Sequence, residues 1–317
     1  MLRRICMIVV ILGLLAMPVE AKTIQWVDFD VPYESLRYAM DVDIATFEQE
    51  KHVSWIDILA LAACRTGGKC GLASVKKAAA ELKGDRSPQE LAGGSKKYFD
   101  YYHQAYEAVL GGMLGSYAIE KDGQWIPQYG LKAFSPIAAG YGYSHCDDFG
   151  FSRSFGFSRK HRGNDLMGGL GTPIVAVESG VVEAMGWNRY GGWRIGIRSA
   201  DSRRYYYYAH LQKDHPYAAG LQVGDQVQAG DVIGFMGRTG YSDKENVNNI
   251  GEVHLHFGLQ LVFDESQKET DGEIWVDVYD IVRLLHGHRC TVTKTPEGWR
   301  RKYPWKDLDM NEFQGEG

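Results

Sequence analysis

Residues 253–257 read Val253-His254-Leu255-His256-Phe257, and this stretch decides how the second half of the chain is interpreted. Its β-branched, aliphatic and aromatic residues are typical of a β-strand. Successive side chains of a strand point to opposite faces of the sheet, so His254 and His256 lie on the same face. The stretch therefore predicts a strand that places two imidazoles in one pocket.

Two earlier segments carry groups of the same chemistry, His161-Arg162-Gly163-Asn164-Asp165 and Tyr208-Ala209-His210-Leu211. The Gly-punctuated, β-branched sequence around them predicts strands of one all-β domain. Glycine costs about 1 kcal/mol in a helix interior relative to alanine, so the His161/Asp165 pair is predicted on a loop or strand end. Imidazole and carboxylate groups together suit Zn²⁺, with three protein ligands and an open position for water.

Each histidine also has a structural interpretation. A lone histidine such as His210 is more often a satisfied structural residue than a functional one, and an H-x-H strand can simply be half-buried. The metal hypothesis therefore depends on the three segments occurring together. The other histidines in this half of the chain lack any such pattern and are interpreted as surface residues, namely His145, His215, His286 and His288.

Beyond the histidines, this half of the chain carries a series of short Gly-containing motifs. They are Gly171-Thr172-Pro173-Ile174, Ala176-Val177, Gly180-Val181-Val182, Val223-Gly224-Asp225, Ala229-Gly230-Asp231-Val232-Ile233-Gly234 and Gly237-Arg238-Thr239-Gly240. With these motifs, roughly residues 150–265 resemble the lysostaphin/LytM-type zinc metallopeptidases, which are secreted bacterial peptidoglycan endopeptidases. Asn164 departs from the aliphatic residue usual in that family, and Glu252-Val253 replaces its common Gly-Pro.

The resemblance implies a site and a division of labour within it. It assigns His161, Asp165 and His256 as ligands of one Zn²⁺ per chain, and His210 and His254 as catalytic histidines. Zinc in such sites lowers the pKa of bound water from about 15.7 towards roughly 7. The residues do not decide which of the two catalytic histidines acts as the base. The sequence contains no H-E-x-x-H motif, which excludes a thermolysin-type site.

The function implied is that of a secreted zinc-dependent endopeptidase, which hydrolyses amide bonds in the peptide stems or cross-bridges of peptidoglycan. The alternative is a non-catalytic peptidoglycan-binding or regulatory module of the same fold, acting in an extracellular or sporulation assembly. A measurement of bound metal separates the two.

Composition limits the class of protein and its partners. The chain has 317 residues, of which 44% are hydrophobic and 24% charged, enough for about two domains with apolar cores. Its formal net charge of −5 argues against a nucleic-acid partner, because phosphate binding usually requires a basic surface.

The N-terminus is predicted to be a signal peptide, residues 1–21. Arg3 and Arg4 precede an apolar run, and the small residues up to Ala21 suit cleavage after that position. The run is shorter than the ~20 apolar residues that a membrane helix needs. We therefore expect a secreted or extracytoplasmic, cell-wall-associated protein without a stable membrane span, or an N-terminal anchor if the signal is not cleaved. Outside the cytoplasm, a disulfide between Cys64 and Cys70 could close a short loop.

The predicted fold class is α+β and multidomain, with an N-terminal all-α domain followed by a mainly antiparallel all-β metallopeptidase domain. The predicted divisions are a helical accessory domain (22–115), a connection (116–149), the β-rich zinc peptidase domain (150–290) and a polar, loose tail (291–317). Helices are predicted in Tyr33–Gln49, Trp55–Ala63, Ala73–Leu82 and Pro88–Leu110. The helical domain holds no second cluster of candidate site residues, and the chain from about Ala133 onward is predicted to fold and keep the site alone.

Overall fold

The computed structural model describes residues 24–268 and 270–310 of the chain. The predicted signal peptide, residues 1–21, lies outside the described residues. Within them, helices occupy the first part and antiparallel strands most of the rest, which confirms the predicted α+β class. Among the described residues, no helix combines the length and the apolar character that crossing a membrane requires.

The helices follow the predicted segments with one difference. They are α1 (Tyr33–Thr46), α2 (Trp55–Thr66), α3 (Leu72–Leu82), α4 (Pro88–Ala92), α5 (Lys96–Leu110) and α6 (Tyr279–Leu285). The segment predicted as Pro88–Leu110 is divided, because Gly93 has a φ of 52° that ends α4 before a 3₁₀ turn leads into α5. The capping box at the start of α4 is present: the Ser87 hydroxyl accepts from the Glu90 backbone, and the Glu90 carboxylate accepts from the Ser87 backbone.

The strands form one large antiparallel sheet and several smaller ones. In chain order they are β1 (Leu114–Lys121), β2 (Gln124–Leu131), β3 (Tyr143–His145), β4 (Ser152–Phe155), β5 (Phe157–Lys160), β6 (Asn164–Gly168), β7 (Pro173–Val175), β8 (Gly180–Asn188), β9 (Gly192–Ser199), β10 (Arg204–Ala209), β11 (Gln226–Val227), β12 (Val232–Phe235), β13 (His254–Leu261), β14 (Ile274–Val276), β15 (Val292–Thr295), β16 (Gly298–Arg301) and β17 (Trp305–Asp307). The main sheet has the order β11-β8-β9-β10-β13-β6-β3, and β14 pairs with the far half of β13.

The two faces of the main sheet differ in character. Leu255 and Phe257 of β13 and Tyr208 of β10 are fully buried in the hydrophobic core. The intervening residues of β13, His254 and His256, point to the opposite face because side chains alternate along a strand. Alternation therefore assigns one face to the core and leaves the other for a polar site.

Two segments predicted to lack regular structure contain strands. Residues 116–149, predicted as a connection, belong in part to the β1–β2 hairpin, and residues 291–317, predicted as a loose tail, contain β15, β16 and β17. The reason is tertiary packing. The ring of Trp305 stacks on a tyrosine of β1, and the buried Lys132 Nζ pairs with Asp307 at 3.0 Å. The boundaries of the predicted domains stay a prediction.

The helical part and the main sheet share one hydrophobic core. At their junction, the fully buried Arg204 donates from Nη1 to the Ala108 carbonyl at the end of α5, at 2.9 Å. The same guanidinium makes a bidentate pair with Glu178, at 2.8 and 3.1 Å. This shared core is at odds with the prediction that the chain from about Ala133 onward folds alone.

Two of the histidines predicted to be surface residues are partly buried. His288 stacks on Phe134 with a centroid distance of 4.3 Å, and its Nδ1 donates to a backbone carbonyl. Both ring nitrogens of His145 are buried with no partner among the described residues, and burial lowers its pKa to about 4. His215 and His286 are exposed, as predicted.

The cysteines of the described residues are free thiols, and the Cys64–Cys70 disulfide considered above is not formed. Cys64 Sγ donates to the Leu61 carbonyl and Cys70 Sγ to the Leu59 carbonyl, inside the helical core. The four thiols are Cys64, Cys70, Cys146 and Cys290.

Candidate metal centre

The pairing of β13 with β6 brings the candidate ligands together. The register sets His256 opposite Asp165, so that both side chains lie on the same face of the sheet. His161 lies just before β6, on the strand end that the sequence predicted. Gly163 allows the close approach, because a Cβ there would lie 2.5 Å from the Phe257 carbonyl and 2.8 Å from the His256 ring.

Three donor atoms converge at this point. His161 Nε2 lies 2.8 Å from His256 Nδ1 and 3.1 Å from Asp165 Oδ1, and His256 Nδ1 lies 3.3 Å from the same carboxylate oxygen. One ligand atom from each residue falls within 4.8 Å of the others. Two imidazole nitrogens and one carboxylate oxygen match the donor set of a three-ligand catalytic zinc site.

The hydrogen bonds of His161 fix which nitrogen faces the cluster. Its Nδ1 lies 3.0 Å from the backbone carbonyl of Asp148, and a carbonyl only accepts, so Nδ1 carries the hydrogen. The Asp148 carboxylate lies 3.3 Å from the same nitrogen. Nε2 therefore faces the cluster, and it is the nitrogen that a metal ion would bind once its proton is released.

His210 and His254 lie beside the three converging residues. The two rings are 4.7 Å apart, and His254 Nε2 is 3.7 Å from Asp165 Oδ1. His210 Nδ1 donates to the Thr239 carbonyl at 2.9 Å, and His254 Nδ1 donates to the Glu252 carbonyl at 3.0 Å. Both histidines thus keep Nε2 free of backbone partners.

The backbone at His210 is unusual. Its φ of 61° lies in the left-handed region, which non-glycine residues seldom adopt and which is found preferentially at functional sites. The backbone N–H of His210 donates to the Gly191 carbonyl at 2.8 Å, and this contact holds the turn that follows β10. The local conformation therefore directs the imidazole towards the cluster.

The protonation of the cluster follows from burial and from its carboxylates. Burial and the neighbouring histidines hold the pKa of His210 well below its ordinary value, and burial also lowers that of His256. Burial works to lower the pKa of His161, but hydrogen bonds to Asp148 and Asp165 outweigh it and raise the pKa to about 9. Despite its burial, Asp165 has a pKa below its ordinary range, because it faces His161 and His256. The carboxylate is therefore ionised at neutral pH.

Two polar residues of the site were not predicted from the sequence. Asp148 contacts His161 through both its backbone and its carboxylate, and Arg153 pairs with Asp148 and donates to Asp165 Oδ2 at 3.1 Å. Neither residue stands at a recognisable spacing from the histidines. The contacts depend on how the segment before β4 folds back over His161, a non-local arrangement that no local pattern reveals.

Comparisons with known proteins agree with this geometry. The sequence profile described as peptidase family M23 matches residues 159–269. The chain is 40% identical over 130 residues to the L-Ala–D-Glu endopeptidase of Bacillus subtilis, which is 41% of this chain and 38% of that protein. It is 39% identical over 98 residues to lysostaphin of Staphylococcus staphylolyticus, 31% of this chain and 18% of that protein. The chain thus spans well under half the length of these relatives.

One solved structure resembles more than this domain. A chain from Ruminococcus gnavus, described as a LytM glycyl-glycine endopeptidase, superposes with a TM-score of 0.55 and 26% identity, covering 82% of this chain and 90% of that chain. The residues that follow α5 cannot supply so large a share alone, so the match includes part of the helical region. Residues 159–269 therefore form a peptidase family M23 domain, and the resemblance to the lysostaphin/LytM-type peptidases is confirmed.

Proposed function

We propose that this protein is a zinc-dependent endopeptidase that hydrolyses amide bonds in the peptide part of peptidoglycan. In this proposal His161, Asp165 and His256 bind one Zn²⁺ per chain, and His210 and His254 act on the substrate. The observation that carries it is the convergence of the three donor atoms within 4.8 Å, with two further imidazoles beside them.

The residues of the cluster fit zinc in number and chemistry. A bound zinc ion supplies a Lewis acid that polarises a carbonyl and lowers the pKa of water. His161 offers Nε2 and His256 offers Nδ1, while Asp165 contributes a negative charge that partly balances the metal. The bond from His161 Nδ1 to the Asp148 carbonyl holds the imidazole in the tautomer and orientation that binding requires.

His210 and His254 have complementary surroundings in this proposal. The low pKa of His210 keeps its ring neutral at pH 7, so its Nε2 can accept a proton from an approaching water. His254 Nε2 lies 3.7 Å from Asp165 Oδ1 at the edge of the cluster, a position that suits a group stabilising the developing oxyanion or the leaving amine.

The relatives support peptidoglycan as the substrate. Their names specify an L-Ala–D-Glu endopeptidase, a glycyl-glycine endopeptidase and a peptidoglycan DD-endopeptidase, so endopeptidase activity is common to them and one name states peptidoglycan. A wall substrate agrees with secretion or another extracytoplasmic location. The non-catalytic alternative is not favoured, because all five predicted positions are present and converge.

The test compares hydrolysis by the zinc-loaded protein with that of two variants. His210→Ala is expected to lower the hydrolysis of purified sacculi by about 100-fold or more while it retains zinc, because a group acting on the substrate is lost and the ligands are not. His215→Ala removes an exposed histidine outside the cluster and should leave the rate unchanged. Loss of zinc from His210→Ala, or an unchanged rate, would contradict the proposed roles.

A further inference from the structure

Two arginines beside the metal centre differ from the others around it. Four neighbouring arginines are paired with carboxylates: Arg153 with Asp148, Arg162 with Glu273, Arg189 with Asp243 and Arg198 with Glu183. A fifth, Arg238, donates from Nη1 to the Ile250 carbonyl. Arg159 on β5 and Arg194 on β9 have no ion pair with any of the described residues. Each also carries a buried nitrogen without a hydrogen-bond partner in that part of the chain, Nη1 of Arg159 and Nε of Arg194.

Aromatic rings hold the Arg159 guanidinium in place. Its guanidinium lies 4.6 Å from the centre of the Tyr190 ring and 5.3 Å from that of Tyr241, and Nη2 donates to the Tyr241 hydroxyl at 3.2 Å. The Tyr241 ring in turn lies 6.0 Å from the ring of His210. Aromatic contacts position a guanidinium without neutralising it. Arg159 therefore keeps a donor without a partner among the described residues, and the Tyr241 ring lies between its guanidinium and the proposed catalytic histidine.

Arg194 reaches the same region from the sheet. Tyr207 of β10 pairs with Gly196 of β9, and Arg194 lies two residues from Gly196, so the side chains of Tyr207 and Arg194 lie on the same face of the sheet. The Tyr207 ring lies 5.8 Å from that of His256. The two charges consequently approach one side of the metal centre from different strands.

Two partly buried cations without hydrogen-bond partners destabilise the folded protein unless a ligand supplies the missing acceptors. A buried donor that lacks an acceptor forfeits roughly 1–3 kcal/mol, more when the group is charged. Arginine presents a planar fork of donors that matches a carboxylate in two parallel hydrogen bonds. The absent partner is therefore an anion with planar acceptor geometry, and a peptide substrate supplies this most simply as a carboxylate.

We propose that Arg159 and Arg194 form a carboxylate-binding subsite, so that the preferred substrate is an acidic peptide with a free carboxylate near the bond to be cleaved. This inference rests on the proposed peptidase function and specifies its substrate class. The uncharged glycine bridges of some cell walls lack such a group and are poorer substrates on this account.

The geometry limits where the carboxylate lies. The Arg159 guanidinium lies 5.3 Å from the centre of the Tyr241 ring, and that ring lies 6.0 Å from the His210 ring. The guanidinium is therefore at most roughly 11 Å from the imidazole, about three residues of an extended peptide. The recognised carboxylate accordingly belongs to one of the residues adjoining the scissile bond.

The test uses two muropeptides that differ only at the carboxylate, one free and one amidated, together with a pentaglycine peptide. The zinc-loaded protein is expected to cleave the free acid with a kcat/KM about tenfold or more above that of the amide, the size of one charge-assisted hydrogen bond. Arg159→Gln and Arg194→Gln should each reduce this preference by lowering only the rate on the acid. Arg159→Lys should restore part of it, and Arg189→Gln, which removes an arginine already paired with Asp243, should leave it intact.

Binding to the His210→Ala variant, measured by calorimetry with the same peptides, separates this inference from the proposed function. Tighter binding of the acid than of the amide, lost in the additional Arg159→Gln variant, supports the subsite even if the wild-type protein cleaves neither peptide. Equal binding and equal cleavage of acid and amide would overturn the subsite while leaving the peptidase proposal standing. Preferred cleavage of pentaglycine, or an equal loss on both muropeptides in the Arg→Gln variants, would also overturn it.

Discussion

Replacement of Arg204 by methionine tests how the helical region and the sheet are joined. Its guanidinium is fully buried and is shared between Glu178 of the sheet side and the carbonyl oxygens at the end of α5. Methionine fills a similar volume but supplies neither charge nor donors. The variant would therefore leave the Glu178 carboxylate buried without its cation and the Ala108 carbonyl without this donor.

The cost of Arg204→Met follows from these lost partners. Removal of one member of a buried ion pair typically destabilises a protein by about 3–5 kcal/mol, because an uncompensated charge remains. In the variant, the Tyr206 hydroxyl, which donates to Glu178 at 2.6 Å, is the one remaining side-chain hydrogen bond to this carboxylate from the described residues. We expect a loss in the free energy of unfolding of about 3–5 kcal/mol, a large share of the roughly 5–15 kcal/mol that usually stabilises a folded protein.

Urea unfolding followed by tryptophan fluorescence measures this loss. The double variant Arg204→Met/Glu178→Met should recover more than half of it, since the orphaned charge is removed together with its partner. Arg37→Met is the matched control, because Arg37 forms an exposed pair with Asp41 at 3.8 Å, and it should leave the free energy of unfolding essentially unchanged. A loss below about 1 kcal/mol in Arg204→Met, or a double variant less stable than the single, would refute the reasoning.

Two further predictions concern stability. Burial lowers the pKa of His145 to about 4, whereas an ordinary histidine has a pKa of about 6.5. Between these two pH values the folded state binds fewer protons than the unfolded state. The contribution of His145 to stability is therefore complete above pH 6.5 and falls as the pH drops towards 4. After allowance for the partial exposure of His145, its contribution to the difference in unfolding free energy between pH 7 and pH 4.5 is about 1–2 kcal/mol. His145→Leu should remove this contribution. An unchanged pH dependence of stability in the variant would contradict the prediction. A chain that begins at Ala133 should fail to fold, because it lacks α5, which covers apolar surface of the sheet and the Glu178–Arg204 pair. Circular dichroism and zinc content measure folding and metal binding of this fragment. A folded, zinc-binding fragment would refute the prediction.

The candidate site could be predicted from the sequence because strand geometry is regular. Side chains two residues apart on a strand lie on the same face of the sheet, so the H-x-H motif predicted that His254 and His256 share one pocket. Gly163 argued against a helix for the His161/Asp165 pair, and the structure adds that its missing Cβ makes room for the His256 ring. These inferences need only local geometry, which is why they could be made without coordinates.

Other features depend on contacts between distant parts of the chain. Nothing in the composition of the C-terminal segment indicates that β17 would add an edge strand to β1, since its pairing depends on Trp305 and Asp307 meeting partners almost two hundred residues away. Asp148 and Arg153 were missed for the same reason. The partial burial of His145 likewise follows from packing against α6, where its ring lies 4.5 Å from Tyr279.

The measurement that tests the central claim most directly is the zinc content of the purified protein by elemental analysis. We predict about one zinc per chain after reconstitution and dialysis, the stoichiometry of a mononuclear catalytic site. Asp165→Ala removes one of the three proposed ligands and should lower this content sharply, whereas His210→Ala should keep it. A content near zero in the reconstituted wild-type protein, or an unchanged content in Asp165→Ala, would contradict the metal centre proposed here.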